Sequence, residues 1–234
     1  MIDFHTHCLP KIDDGSVGAE ESDAMFRAEK SDGVDVIIAT PHFYYMRDSV
    51  SSFFSRRDSA VSIIKNECKA ERPRIGLGAE VSFFEDMSRS DEIEKFCVRG
   101  TNVLLVEMPF CKWGKADVSE LYKLKFEAGL NPVIAHQEKF FRYRNQKDLV
   151  DLKKDGFLLQ TNAEFFIDRH TRKTALSMLK DGQIDIIGTD CHHRDIRRPN
   201  MGEAVKIITE NGLERIFGKI AEKSEELFKN AVLF

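Results

Sequence analysis

The sequence predicts an α/β protein built from βα units around a parallel sheet or barrel. Three observations lead there. Short runs rich in Val and Ile alternate with longer amphipathic stretches, the rhythm of βα units. Most amphipathic stretches stop at a glycine, a common end signal for helices. Each short run also ends at or beside a histidine, a carboxylate or an amide, and the C-terminal strand ends are where parallel barrels build their active sites.

Seven strands are expected: Ile2 to His5, Val34 to Ala39, Ile75 to Val81, Val103 to Glu107, Pro132 to His136, Phe157 to Gln160 and Ile184 to Gly188. Helices are expected between them. Residues 19 to 32 carry Ala24, Met25 and Ala28 at helical spacing before Gly33. Residues 51 to 70 carry Phe53, Phe54, Val61, Ile64 and Cys68, with Pro73 beyond the end. Asp117 to Ala128, Asn145 to Lys154, Thr171 to Lys180 and Met201 to Glu210 each run toward a glycine. Residues 219 to 230 also read as helix, and Ala231 to Phe234 as an apolar end that docks on the fold. No Pro/Gly/Ser-rich linker divides the chain, so residues 1–234 are expected to form a single domain.

Composition narrows the function classes. The net charge is -4, which gives no global basic field for nucleic acid. No signal-peptide pattern is present, and no apolar run approaches the roughly 20 residues of a membrane helix. The expectation is a cytoplasmic protein with no membrane insertion. The five cysteines lack C-x-x-C spacing, which fits free thiols rather than a disulfide framework or a thiolate metal site.

The first seven residues organise the chemistry. On an extended strand His5 and His7 project from one face, close enough to share a metal ion. Asp3 lies one step earlier on that face, as a further ligand or an orienting group. The later strands bring His42, Glu80, Glu107, His136, Asp190 and His192 to their ends. Gln160 and Asn162 follow the sixth strand, their roles open. Imidazoles and carboxylates without thiolate suit manganese, iron or zinc at a catalytic centre. Eight ligands are too many for one ion, so two or three divalent ions are expected. Such a centre activates a hydroxide and clamps phosphoryl oxygens, which implies phosphate-ester hydrolysis.

These residues fall in a familiar order. Asp3-Phe-His5-Thr-His7 is followed by Leu9-Pro10-Lys11-Ile12-Asp13-Asp14-Gly15-Ser16. Then come Thr40-Pro41-His42, Gly78-Ala79-Glu80-Val81, Leu105-Val106-Glu107-Met108-Pro109, Pro132-Val133-Ile134-Ala135-His136 and Asp190-Cys191-His192. The chain resembles the polymerase-and-histidinol-phosphatase (PHP) superfamily, and within it the bacterial PHP-type tyrosine phosphatases of capsule and exopolysaccharide operons. The resemblance implies a distorted seven-stranded (β/α) barrel of PHP type and a trinuclear centre usually described with manganese. It maps that family's ligands onto His5, His7, His42, Glu80, Glu107, His136, Asp190 and His192. It also implies phosphotyrosine on a bacterial tyrosine autokinase as substrate.

The sequence departs from the family pattern at three points. Lys139 stands where the family commonly has an arginine, so the charge is kept but the bidentate fork is lost. Arg142 and Arg144 lie near enough in sequence to substitute. Phe43 replaces a second histidine after Thr-Pro-His, and Lys11 replaces a loop glycine.

Asp14 is the candidate proton donor to the leaving phenolate, and Arg47 and Lys139 are candidate phosphate contacts. Asp13 reads instead as part of a turn. The aromatics Phe43, Tyr44, Tyr45, Phe110, Trp113, Phe140 and Phe141 either wall a pocket for an aryl phosphoester or pack loops over the barrel. Cys191 and Arg197 match the C-x-x-x-x-x-R spacing of cysteine-dependent phosphatases, but the loop between them lacks glycine and the match is read as chance. Histidinol-phosphate hydrolysis and a catalytically silent metal-binding scaffold are the alternatives.

Overall fold

The computed structural model describes all 234 residues. The strands are β1 (Ile2–Thr6), β2 (Val36–Ala39), β3 (His42–Phe43), β4 (Arg74–Leu77), β5 (Glu80–Ser82), β6 (Val103–Glu107), β7 (Asn131–Ile134), β8 (Leu158–Asn162) and β9 (Ile186–Gly188). All strand pairings are parallel. The strands form a curled sheet in the order β3-β5-β6-β7-β8-β9 and a smaller sheet in the order β1-β2-β4.

Of the seven expected strands one is interrupted, and a further short strand follows the second. The second ends at Ala39 as expected, and after Thr40–Pro41 the chain rejoins a sheet as β3. The third, expected over Ile75 to Val81, breaks at Gly78–Ala79 into β4 and β5. Pro41 has no N–H to give a ladder, which accounts for the gap between β2 and β3. The two sheets meet through backbone hydrogen bonds from Asp190 N to His5 O (2.7 Å) and from His7 N to Cys191 O (2.9 Å).

Helices α1 (Ala19–Ser31), α2 (Val50–Glu67), α3 (Lys115–Phe126), α4 (Gln146–Lys154), α5 (Glu164–Ile167), α6 (Arg172–Lys180), α7 (Met201–Glu210) and α8 (Glu214–Phe228) fill the connections. The four-residue α5 and three 3-10 segments of three to seven residues lie outside the expected helices, because segments this short carry no readable period. Helix α8 begins at Glu214, five residues before the expected start. The Ser49 hydroxyl caps α2 by accepting from Ser52 N at 3.2 Å. Buried Phe53, Arg57, Ala60 and Ile64 give α2 one inward stripe. Gly33 ends α1 at φ +82°, the left-handed conformation its position requires.

A layer of Phe4, Ile38, Leu105, Val133, Leu158, Ile186 and Phe228 forms one apolar core. Phe228 reaches it from α8 and stacks on Phe4 with centroids 4.9 Å apart. Burying one such ring contributes about 1.5–3 kcal/mol. Two residues onward along the same strand faces, Leu105 gives way to Glu107 and Leu158 to Gln160. The polar site therefore sits one pleat above an apolar floor.

The C-terminal end docks as expected and adds a pairing. Phe234 and Ile75 exchange backbone hydrogen bonds of 3.0 Å, and Leu233 bridges Gly76 in antiparallel sense. No helix is long and apolar enough to cross a membrane.

Candidate metal centre

The strand ends converge on Glu80. Its Oε2 lies 2.8 Å from His42 Nδ1, 3.3 Å from His5 Nε2 and 3.5 Å from His7 Nε2. Its Oε1 lies 2.9 Å from His136 Nε2, which is also 3.2 Å from Glu107 Oε1. Asp190 Oδ1 stands 3.6 Å from His5 Nε2 and 3.4 Å from His7 Nε2. Asp14 Oδ1 stands 3.5 Å from Nε2 of both His42 and His192. All eight expected ligands thus meet at one place, and Asp14 joins them rather than standing apart. His170 and His193 do not.

Surrounding groups fix the imidazole tautomers. His7 Nδ1 donates to Asp13 Oδ2 at 2.7 Å, His5 Nδ1 faces Gln160 Oε1 at 3.3 Å, and His192 Nδ1 donates to the Asp190 carbonyl at 2.9 Å. Each partner only accepts, so Nδ1 carries a proton in each ring, and Nε2 is the atom left to present a lone pair inward once the ring is neutral. In the metal-free protein burial opposes charge on His7, yet Asp13 holds it well above the usual imidazole range. His5 Nε2 and His7 Nε2 face each other at 3.2 Å. His192 Nε2 is buried without a hydrogen-bond partner, and Glu80 Oε2, with three imidazole nitrogens within 3.5 Å, meets none of them in hydrogen-bonding geometry. Convergent imidazoles and carboxylates of this kind fit divalent cations.

The electrostatics agree. Burial and the neighbouring His7 push His192 down to about 3, so its imidazole is neutral and free to ligate. Burial opposes charge on His136, but hydrogen bonds to Glu107 and Glu80 outweigh it and hold the imidazole up at about 9. Burial likewise opposes ionisation of Asp13, yet the adjacent His7 brings it down to about 2.

Several orienting groups escape sequence reading. Asp13 was expected to shape a turn. It does accept from Gly15 N at 3.0 Å, but it also accepts from His7 and from His42 N. Gly15 is obligatory there, since a Cβ would lie 2.2 Å from the His7 carbonyl oxygen. Gln160 Oε1 accepts from His136 N at 2.6 Å, and its Nε2 donates to Asn162 Oδ1. Asn162 Nδ2 in turn donates to Asp190 Oδ2 at 2.8 Å. Both amides therefore orient the centre. Asp3 does not reach it: its carboxylate accepts from His5 N, Thr189 N and Thr189 Oγ1, tying β1 to the end of β9.

Two cations grip Asp190. Lys139 Nζ donates to Oδ2 at 2.9 Å and Arg197 Nη2 to Oδ1 at 2.8 Å. Both line a cavity of about 490 Å³ above the centre, together with Arg47. Arg142 and Arg144 do not line it. Arg197, half of the chance C-x-x-x-x-x-R spacing, reaches the cavity from a loop with no periodic signal. Cys191, the other half, is buried, and its thiol is pushed well up by burial and by Glu29 and Asp3, which does not suit a nucleophile.

A curled parallel sheet carrying imidazoles and carboxylates at its strand ends defines the class as a metal-dependent hydrolase. A family model described as "Capsular polysaccharide synthesis, CpsB/CapC" matches residues 1–228, and the chain belongs to that family. The tyrosine-protein phosphatase CpsB of Streptococcus agalactiae is 28% identical over 248 residues, spanning 98% of this chain and 99% of that protein. The tyrosine-protein phosphatase YwqE of Bacillus subtilis is 26% identical over 248 residues, spanning 100% of this chain and 94% of that one. A solved structure from work on YwqE and Streptococcus pneumoniae CpsB, described as unique metal-dependent tyrosine phosphatases, matches with a TM-score of 0.83. That match has 24% identity and covers 100% of this chain and 96% of the other. An inactive dihydroorotase-like domain from Chaetomium thermophilum shares the fold more loosely, with a TM-score of 0.57 and 9% identity.

Proposed function

We propose that this protein is a metal-dependent protein-tyrosine phosphatase of capsule or exopolysaccharide synthesis, the whole chain forming one cytoplasmic phosphatase domain. The observation that carries the reading is the convergence of imidazole nitrogens and carboxylates on Glu80. His5, His7, His42, Glu80, Glu107, His136, Asp190 and His192 would hold two or three divalent ions, manganese first, with iron or zinc as alternatives. Asp14, within 3.5 Å of two of these imidazoles, suits a ligand role better than that of a proton donor. We read the two sheets as one distorted seven-stranded barrel of PHP type. The backbone bonds between the His5–His7 and Asp190–Cys191 segments support that closure.

Ions bound at such a set supply Lewis-acid charge for the phosphoryl oxygens and lower the pKa of water. The chain's own residues do the rest. Lys139 and Arg197 give the phosphate positive partners at the cavity edge, and Arg47 lies on the same wall. Asp13, Gln160 and Asn162 hold the imidazoles and Asp190 in place. The phosphoprotein substrate fits a bacterial tyrosine autokinase, on the strength of the family.

Glu80→Gln tests the assignment. The expected result is joint loss of bound metal and of phosphotyrosine-peptide hydrolysis in a folded protein. Full turnover by a metal-depleted Glu80→Gln protein would refute it.

A further inference from the structure

We infer that Phe110 and the stacked pair Tyr45–Phe84 are specificity-determining residues, the walls that hold the ring of an aryl phosphate and select it over an alkyl phosphate. The inference rests on the phosphatase reading above and adds to it how the substrate's ring is recognised.

The site is recessed. Its floor is buried, with His7 and Glu80 at 0% and 1% exposure, whereas Tyr45 and Phe110 on its walls are 50% and 43% exposed. A phosphotyrosine carries its phosphorus a full ring farther from the peptide than a phosphoserine does. Only the aryl ester brings a group of matching chemistry to the depth between rim and floor.

The walls are held in place before any ligand arrives. Tyr45 and Phe84 lie with centroids 4.1 Å apart and planes 8° apart, so Phe84 backs one face of Tyr45. Phe110 lies 5.5 Å from Phe140 with planes 27° apart, and 5.9 Å from His136 with planes 18° apart. All three rings line the cavity that holds Lys139 and Arg197. Exposed aromatic surface is costly in water and is recovered when a ligand ring covers it. Rings fixed by their own stacking lose little freedom on binding.

The structure also separates these rings from the other aromatics beside the same strands. Phe43, Trp113 and Phe140 are buried in the core, and Phe141 packs on it without lining the cavity, so they support the loops instead. Tyr44 does line the cavity, but its ring lies 5.2 Å from the His42 imidazole, at the centre rather than on the outer wall. Phe84 carries no chemical signal of its own in the sequence; its role emerges from its pairing with Tyr45.

The test compares metal-loaded wild type, Tyr45→Ala and Phe110→Leu on two peptides of one sequence, bearing phosphotyrosine or phosphoserine. Metal content is measured on each preparation. Wild type is expected to favour phosphotyrosine. Each variant is expected to lower the phosphotyrosine-to-phosphoserine ratio of kcat/KM about three- to ten-fold, mainly through KM, with metal retained. Tyr45 stacks on Phe84 and on no imidazole, so it decides the matter if Phe110→Leu disturbs His136. An unchanged ratio in metal-replete Tyr45→Ala, or a wild type without preference, would overturn the inference and leave the phosphatase reading standing. A metal-loaded wild type that hydrolyses neither peptide would overturn both.

Discussion

Asp13 accepts the Nδ1–H of His7 at 2.7 Å, and the same carboxylate accepts the backbone N–H of His42 at 3.0 Å. One acid thereby sets the direction in which two candidate ligands point. Orienting carboxylates of this kind typically contribute 10- to 100-fold to metal affinity or activity. Asp13→Asn is therefore expected to weaken metal binding by roughly that factor, with the fold retained. Titration of the metal-free variant with manganese, followed calorimetrically, measures it. Wild-type affinity would mean that Asp13 only shapes its turn.

Lys139 and Arg197 hold opposite oxygens of Asp190, so removing either has two consequences. It frees a buried carboxylate and strips the cavity of a phosphate partner. Hydrogen bonds to charged groups contribute about 1.5–3 kcal/mol. Lys139→Gln and Arg197→Gln should each reduce kcat/KM roughly 10- to 100-fold, while Lys139→Arg keeps most activity. Steady-state kinetics on a phosphotyrosine peptide with metal content measured would show it. Unaltered kinetics in Arg197→Gln would remove Arg197 from the site.

The pH dependence follows from His136, whose folded pKa is held up at about 9 against an ordinary value of 6.5. A raised pKa means that the metal-free fold gains stability from the protonated imidazole. That gain is complete below about 6.5 and is lost as pH rises through about 9. Metal requires the deprotonated ring. The rise in Tm on adding manganese should therefore be smallest near pH 6.5 and grow toward pH 9. Thermal melts with and without metal across that window check this; a flat difference would contradict it.

Lys11 adopts φ +64°, the left-handed region that glycine occupies without steric cost. The family resemblance places a glycine at this position, and here a lysine takes the left-handed conformation at a steric cost that glycine does not incur. Lys11→Gly should stabilise the protein by about 0.5–1 kcal/mol, raising Tm by about 1–4 °C. A fall in Tm would show that the lysine side chain offsets the strain.

Much of the site was legible because its signals are local. The strand-end positions of His42, Glu107 and His136 follow from short Val/Ile runs that end in a ligand type. The orienting groups were harder to see. Asp13 sits in an Asp-Asp-Gly-Ser stretch whose turn chemistry masks its bond to His7, and it serves both. Arg197 reaches Asp190 from a loop, itself at φ +52°, where no period predicts direction. The short strand after Thr40–Pro41, the break at Gly78–Ala79 and the pairing of Phe234 with Ile75 depend on contacts between distant segments. Pattern within one strand does not encode them.

The most direct test of the metal-centred account is metal content and phosphotyrosine-peptide turnover on one preparation, before chelation, after it and after manganese is restored. The account predicts two or three ions per chain and turnover that vanishes and returns with them. Undiminished hydrolysis by the metal-stripped protein would contradict it.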